Sequence, residues 1–164
     1  MNYKILEPID QLEILKQYKK LESKINWLHD ERDNRQCGIQ YRNDEDHFLS
    51  ATGKLNPAIH EKEYNILNPL FKDTIFEHII TKFNLVRSRL MWVTKKSCYS
   101  LHSDFSERLH IPIITNKDCY FLFPNAELVH LAAGFIYTVD TTKIHSFCNF
   151  SSFSRLHFLG CIYH

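Results

Sequence analysis

Residues 108–139 read RLHIPIITNKDCYFLFPNAELVHLAAGFIYTV, and this stretch decides the fold class. It holds four short runs rich in β-branched and aromatic residues, at 108–115, 119–123, 127–132 and 135–139. Turn formers separate them: Asn116-Lys117-Asp118, Pro124-Asn125 and Ala133-Gly134. Apolar runs of this length, punctuated in this way, read as strands of an antiparallel sheet. The pattern extends upstream to 86–94 and, past a break at Asp140 to Lys143, downstream to 144–150 and 154–163. Seven or eight short strands suit a sandwich or barrel, and the count is that of a jelly roll.

Before residue 86 the period changes. Leu12, Ile14, Leu15, Tyr18 and Leu21 fall on one face of a helix over 9–25, with Asp10 as its cap and Glu13 placed for a capping-box pair. A second helix is expected to start at Asn68-Pro69, with Leu70, Phe71, Ile75, Phe76, Ile79, Ile80 and Phe83 at helical spacing. Between them, residues 30–57 are polar and turn-rich, with room for one short strand from Cys37 to Tyr41. The part from Arg35 to Ser50 reads as a substrate lid, because long polar loops in compact domains usually serve function. The expected organisation is a single domain over 1–164: a helical and loop buttress at 1–85 and a β-core at 86–164. There is no internal repeat.

The chain has 164 residues, and a core of that size buries roughly 70% of the unfolded surface without needing a disulfide or structural metal. Lys plus Arg number 20 against 19 Asp plus Glu. That balance weighs against a nucleic-acid partner, which would call for a basic stripe. No uncharged apolar window is long enough to span a membrane, and the N-terminus lacks the apolar core of a signal peptide. The five cysteines form no CxxC pair and are odd in number, which suits reduced, packed thiols in a cytoplasmic protein. The unusual entry is ten histidines. Histidine is the commonest metal ligand, so the histidines are where chemistry is to be sought.

The informative motif is Leu101-His102-Ser103-Asp104. In extended chain, residues i and i+2 point to one side, so the His102 imidazole and Asp104 carboxylate converge. They supply two thirds of a 2-His-1-carboxylate facial triad, the arrangement that leaves positions open on a non-haem Fe(II). An HxD alone more often means a loop histidine beside a solvated aspartate. Here His145 lies on a later expected strand that returns to the same mouth, and Arg155 follows on the next. A buried arginine there is placed to hold a dicarboxylate through a bidentate, charge-assisted pair. Arg108 and His110 share a strand face close after the HxD.

The runs Leu101-His102-Ser103-Asp104, Arg108-Leu109-His110-Ile111-Pro112-Ile113, His145-Ser146-Phe147-Cys148-Asn149-Phe150-Ser151 and Arg155-Leu156-His157 resemble the aspartyl/asparaginyl β-hydroxylase family of Fe(II)/2-oxoglutarate-dependent oxygenases, which also contains bacterial free-proline hydroxylases. The resemblance covers residues 86–163. It implies a double-stranded β-helix, the cupin-like form of the jelly roll. His102, Asp104 and His145 would ligate Fe(II). Arg155 would pair with the distal carboxylate of 2-oxoglutarate, and Arg108 and His110 would help hold its metal-chelating end. O2 would be the oxidant, and an unactivated C–H of an amino acid, free or within a peptide or protein, the target. Succinate and CO2 would be the coproducts.

Asp104 is a departure from the animal aspartyl hydroxylases, which lack the carboxylate ligand, and its presence argues against halogenation. The free-proline hydroxylases are longer, so substrate identity does not carry over. Two other classes stay open on the residues: a cupin-like hydrolase or isomerase using Zn(II) or Mn(II), and a non-catalytic β-sandwich with incidental histidines. Arg155 separates the first of these, which gives it no task. Of the remaining histidines, His29, His47, His60 and His78 read as surface residues, His130 as packed and His164 as a tail. His157 reads either as a pocket residue or as a core histidine bonded to a neighbour. Oligomeric state is not encoded in any motif.

Overall fold

The computed structural model describes residues 1–163. Its strands are β1 (Tyr3–Pro8), β2 (Leu28–His29), β3 (Arg35–Gly38), β4 (Gln40–Tyr41), β5 (Ile66–Leu67), β6 (Val86–Val93) and β7 (Ser97–Cys98). They continue with β8 (Glu107–Ile114), β9 (Cys119–Phe123), β10 (Glu127–Val129), β11 (Phe135–Val139), β12 (Ser146–Asn149) and β13 (Arg155–Ile162). Helix α1 (Gln11–Leu21) follows β1, and α2 (Ile75–Phe83) precedes β6. A seven-stranded sheet in the order β1-β11-β8-β13-β6-β3-β2 faces a four-stranded sheet in the order β10-β9-β12-β7. Every strand pairing among the described residues is antiparallel. This is the double-stranded β-helix, the jelly roll expected from the β-core.

Alternation along the strands divides the large sheet into two faces. Leu90, Leu109, Ile111, Leu156 and Phe158 point outward and are covered by Ile14 and Tyr18 of α1 and Phe76 and Ile79 of α2. The other face looks toward the small sheet, where Val93, Tyr137 and Val139 meet Phe121, Phe123 and Phe147. Each of these large side chains contributes roughly 1.5–3 kcal/mol by leaving water. Gly160 on β13 is required by close packing: a Cβ there would sit 2.8 Å from Ser88 Oγ and 2.9 Å from Leu85 Cδ1.

The first 85 residues do more than buttress. β1 forms one edge of the large sheet against β11, and β3 and β2 extend the other edge beyond β6. The strand expected at 37–41 begins at Arg35, and after Ile39, whose N–H donates to Ser88 O of β6, the chain changes partner and pairs with β5. The lid reading of Arg35 to Ser50 is corrected for its first part, because 35–38 is a strand of the large sheet, with Cys37 and Gly38 buried, and 40–41 pairs with β5. The second helix is also corrected. Pro69–Phe71 makes a single 3-10 turn, and Asp73 in the left-handed region (φ 58°) interrupts the chain before α2 begins. Asp10 caps α1 by accepting from the N–H groups of Leu12 and Glu13. The Glu13 carboxylate bonds Gln17 and Lys16, so the capping box is not closed. No helix among the described residues is long and apolar enough to cross a membrane.

Candidate metal centre and its anion pocket

His102 and His145 stand on adjacent chain segments and exchange both backbone hydrogen bonds, His102 N–H to His145 O at 2.9 Å and His145 N–H to His102 O at 2.8 Å. Their rings lie 4.5 Å apart between centroids. Asp104 is held alongside by its own N–H, which donates to Thr141 O at 2.8 Å. One ligand atom from each of His102, Asp104 and His145 lies within 4.8 Å of the others. The structure thus brings together the three residues singled out by the motif and its spacing.

The two imidazoles are set up to present lone pairs. His102 Nδ1 lies 2.8 Å from Ser100 O, and His145 Nδ1 lies 2.9 Å from Lys143 O. A carbonyl can only accept, so each Nδ1 carries the hydrogen and each Nε2 is free to bind a cation. Burial keeps the His145 pKa below the ordinary range, which favours the neutral, ligating form. Asp104 Oδ2 faces His145 Nε2 at 3.9 Å, while Oδ1 pairs with Arg108 Nη2 at 3.1 Å. Two neutral nitrogens and one carboxylate oxygen, oriented by a second layer of hydrogen bonds, fit a divalent metal such as Fe(II).

Arg108 does not point freely into the pocket. The same Nη2 lies 2.9 Å from Glu61 Oε1, which Arg87 Nη1 also reaches at 2.6 Å. Ser106 and Tyr163 hydroxyls donate to Glu61 Oε2 at 2.7 and 2.9 Å. Burial alone would push the Glu61 carboxyl up, but Arg108, Ser106 and Arg87 outweigh it and hold the pKa at about 2. Glu61 is thus a buried anion that anchors Arg108 beside Asp104. Sequence reasoning missed it, as nothing local marks a glutamate in a polar stretch as buried. His60, read as a surface residue, caps the 3-10 turn that carries Glu61 and packs its ring on Tyr163.

Facing residues of antiparallel strands share a side, and the register puts Arg89, Arg108, His110, Arg155 and His157 on the inner face of the large sheet. Arg155 is 2% exposed, with its guanidinium carbon 3.5 Å over the Phe147 ring and its Nε without a hydrogen-bond partner. Among the described residues no carboxylate lies within ion-pair distance of it. Burial brings its pKa down to about 9, so it is still charged at neutral pH. His110 packs edge-on against Phe121 and 5.8 Å from His157, and neither ring has a partner at either nitrogen. The alternative of His157 as a core histidine bonded to a neighbour is therefore corrected: burial, with Arg155 next, drives it toward the neutral, unpaired form.

Two further residues join this face. Arg89 is buried, bonds the Gln36 side chain at 3.1 Å through Nη1, and has an Nε without a partner among the described residues. Its signal in the sequence was a cation at an alternating position within the apolar run of β6. The buried Tyr99 hydroxyl also lacks a partner, and burial pushes its pKa up to about 12. Buried donors of this number without acceptors fit an anionic, multidentate ligand such as 2-oxoglutarate. The loop that borders the ligand-bearing chain is 30–34, which lines a cavity of about 250 Å³ with Tyr99 and Ser100. The metal mouth itself is rimmed by the exposed side chains of Leu101, Phe105 and Ile144.

The other histidines are ordinary. His29 pairs with Asp33, His47 stacks on Tyr41, His78 is exposed on α2, and half-buried His130 bonds Cys119 O. His164 lies outside the described residues.

No protein-family model matches the sequence, and no curated protein is detectably similar to it. Solved structures share its fold. An oxidoreductase of the 2OG-Fe(II) oxygenase family from Burkholderia pseudomallei superposes with a TM-score of 0.60 at 14% identity, over 98% of this chain and 83% of that one. HygX from Streptomyces hygroscopicus, solved with nickel, 2-oxoglutarate and hygromycin B bound, gives a TM-score of 0.57 at 12% identity, over 98% and 83%. Likeness at these identities is likeness of fold, the jelly roll of 2-oxoglutarate oxygenases.

Proposed function

We propose that the chain is an Fe(II)- and 2-oxoglutarate-dependent dioxygenase that hydroxylates an unactivated C–H of an amino acid, free or within a peptide or protein, releasing succinate and CO2. One observation carries the reading: a 2-His-1-carboxylate set opens onto the same inner face as Arg155, a buried guanidinium with no carboxylate partner among the described residues. HygX, which shares the fold, is seen with a divalent metal and 2-oxoglutarate. The sequence motifs that resemble the aspartyl/asparaginyl β-hydroxylases support an amino-acid target.

Bound Fe(II) would supply activation of O2 coupled to oxidative decarboxylation of the oxo acid. The chain's own residues prepare that chemistry. His102 Nε2, His145 Nε2 and one Asp104 oxygen would hold the metal. Arg108 keeps Asp104 from rotating and is itself fixed by Glu61. Arg155 would form the charge-assisted pair with the distal carboxylate, in surroundings dry enough to strengthen it. His110, neutral and unpaired, would lie beside the metal-chelating end. Phe121, Phe123 and Phe147 exclude water from the inner face. A cupin-like hydrolase needs the metal but leaves Arg155 buried without a purpose.

The deciding experiment is anaerobic. Fe(II) and 2-oxoglutarate together are expected to give a weak visible charge-transfer band that an Arg155→Ala, His102→Ala double variant loses. Absence of the band in the wild-type protein, together with no succinate release from any amino acid or peptide offered, overturns the proposal.

A further inference from the structure

Cys98 and Cys148 face one another across β7 and β12, in direct register. Their neighbours Tyr99 and Phe147 share a backbone hydrogen bond, Tyr99 N–H to Phe147 O at 3.0 Å. Alternation in an antiparallel pair then makes 98 and 148 a non-hydrogen-bonded pair, the closer of the two kinds, with Cα atoms typically about 4.5 Å apart. That separation is within the range a disulfide spans. The two thiols are close enough to influence each other's ionisation. The other three cysteines, Cys37, Cys119 and Cys161, are buried, and none of them faces another cysteine in the strand register. Cys98 alone among the five is half-exposed, on the edge strand of the small sheet.

We infer that Cys98 and Cys148 form a redox-reactive dithiol that takes an oxidised low-molecular-weight disulfide, such as glutathione disulfide, as its co-reactant and closes into a cross-strand disulfide. The Cys98 thiolate attacks one sulfur of glutathione disulfide, forming a mixed disulfide and expelling one glutathione thiolate. Cys148, as thiolate, then attacks the Cys98 sulfur and expels the second. The protein loses two electrons and two thiol protons, and the glutathione disulfide is reduced to two glutathiones. Cys98 is the entry point because it is the accessible partner. The Asn149 main chain and Arg32 lie near its sulfur, and both favour the thiolate. Burial and the Cys148 thiol work against them and push the Cys98 pKa up to about 11. Exchange is accordingly slow at neutral pH and rises about tenfold per pH unit through the mildly alkaline range.

The position gives the pair a consequence. Cys98 stands four residues before His102 and Cys148 three residues after His145. A bond between them closes the ladder next to the mutual backbone bonds of His102 and His145 and prevents the edge strand from peeling away there. The thiol state thus sets how freely the metal-binding segments part. This follows from the strand register and holds whatever reaction the centre performs.

The test uses the full-length chain, reduced and then exposed to glutathione disulfide at pH 8.5, with peptide mapping by mass spectrometry and amide exchange at His102 and His145. The expected product is one internal crosslink, Cys98 to Cys148, reversed by a dithiol reductant. Cys148→Ser should stop at a glutathione adduct on Cys98, and Cys98→Ser should leave Cys148 unmodified. In the crosslinked protein, exchange at the His102 and His145 amides should slow by about tenfold or more, as local opening is suppressed. Free thiols throughout, a stable Cys98 adduct in the wild type, or a crosslink to another cysteine overturns the dithiol. Unchanged amide exchange in the crosslinked protein overturns the latch.

Discussion

His102 and His145 are bonded to each other twice through their backbones, at 2.9 and 2.8 Å, so their side chains leave neighbouring segments at one level. The geometry of the candidate metal site is therefore set by this main-chain bridge between the segments that follow β7 and precede β12. Rigid placement of this kind reduces the ordering a metal must impose when it binds. It also means that the ligands can be removed singly without dismantling the fold, since the bridging bonds are made by main chain.

The first prediction follows. His145→Ala and Asp104→Asn should each weaken Ni(II) or Mn(II) binding by more than about 100-fold, as measured by calorimetry, with little change in far-ultraviolet circular dichroism. Asp104→Asn has an added effect, because it removes the anion that Arg108 Nη2 pairs with at 3.1 Å. Tight metal binding retained by both variants would remove these residues from the ligand set.

Arg155 carries the second. Arg155→Gln should leave metal affinity unchanged and lower 2-oxoglutarate affinity by about 10–100-fold, the worth of one charge-assisted pair. Burial lowers the Arg155 pKa, but a guanidinium starts so high that its charge is kept at neutral pH. Affinity for 2-oxoglutarate in the metal-loaded protein should therefore be flat between about pH 7 and 8. Titration calorimetry on both proteins checks the two expectations.

The β-core was legible because its signal is local. Residues 108–139 alternate and are punctuated by turn formers, and the structure has strands at each of the four runs. The N-terminal strands were not legible for an equally physical reason. β1 is an edge strand with mixed exposure, β2 is two residues long, and both are strands only because the large sheet offers them a partner. The candidate metal ligands could be read because two of them sit in one HxD and the third stands just before β12 at a recognisable distance. Glu61 could not, since its meaning depends on Arg87 and Arg108, which come to it from 26 and 47 residues away. Arg89 and Tyr99 were passed over because alternation marks two faces of a strand and the register is needed to tell which one looks inward.

Glu61 gives the third prediction. Glu61→Gln keeps the shape but leaves Arg87 a buried cation without a carboxylate and Arg108 with Asp104 alone, and breaking a buried pair this way costs about 3–5 kcal/mol. In a domain of this size the melting temperature should fall by roughly 6–20 °C. Metal affinity should also drop, because Arg108 would no longer be fixed beside Asp104. A variant as stable as the wild type would show that the Glu61 cluster is not a structural anchor.

Acid stability provides the last prediction and an independent view of the same cluster. The Glu61 carboxyl has a folded-state pKa of about 2 against an ordinary value of 4.5, because Arg108, Ser106 and Arg87 outweigh the effect of burial. A depressed carboxyl pKa means that the unfolded chain takes up its proton first as pH falls. The stabilisation is therefore complete above about pH 4.5 and is lost progressively between there and pH 2. A shift of this size is linked to about 3 kcal/mol. Urea unfolding at a series of pH values should show that decline in the wild type. In Glu61→Gln the decline should be smaller by about the same amount, since a glutamine has no proton to gain. Equal acid sensitivity in the two proteins would place the acid limb in other carboxylates and remove Glu61 from the account.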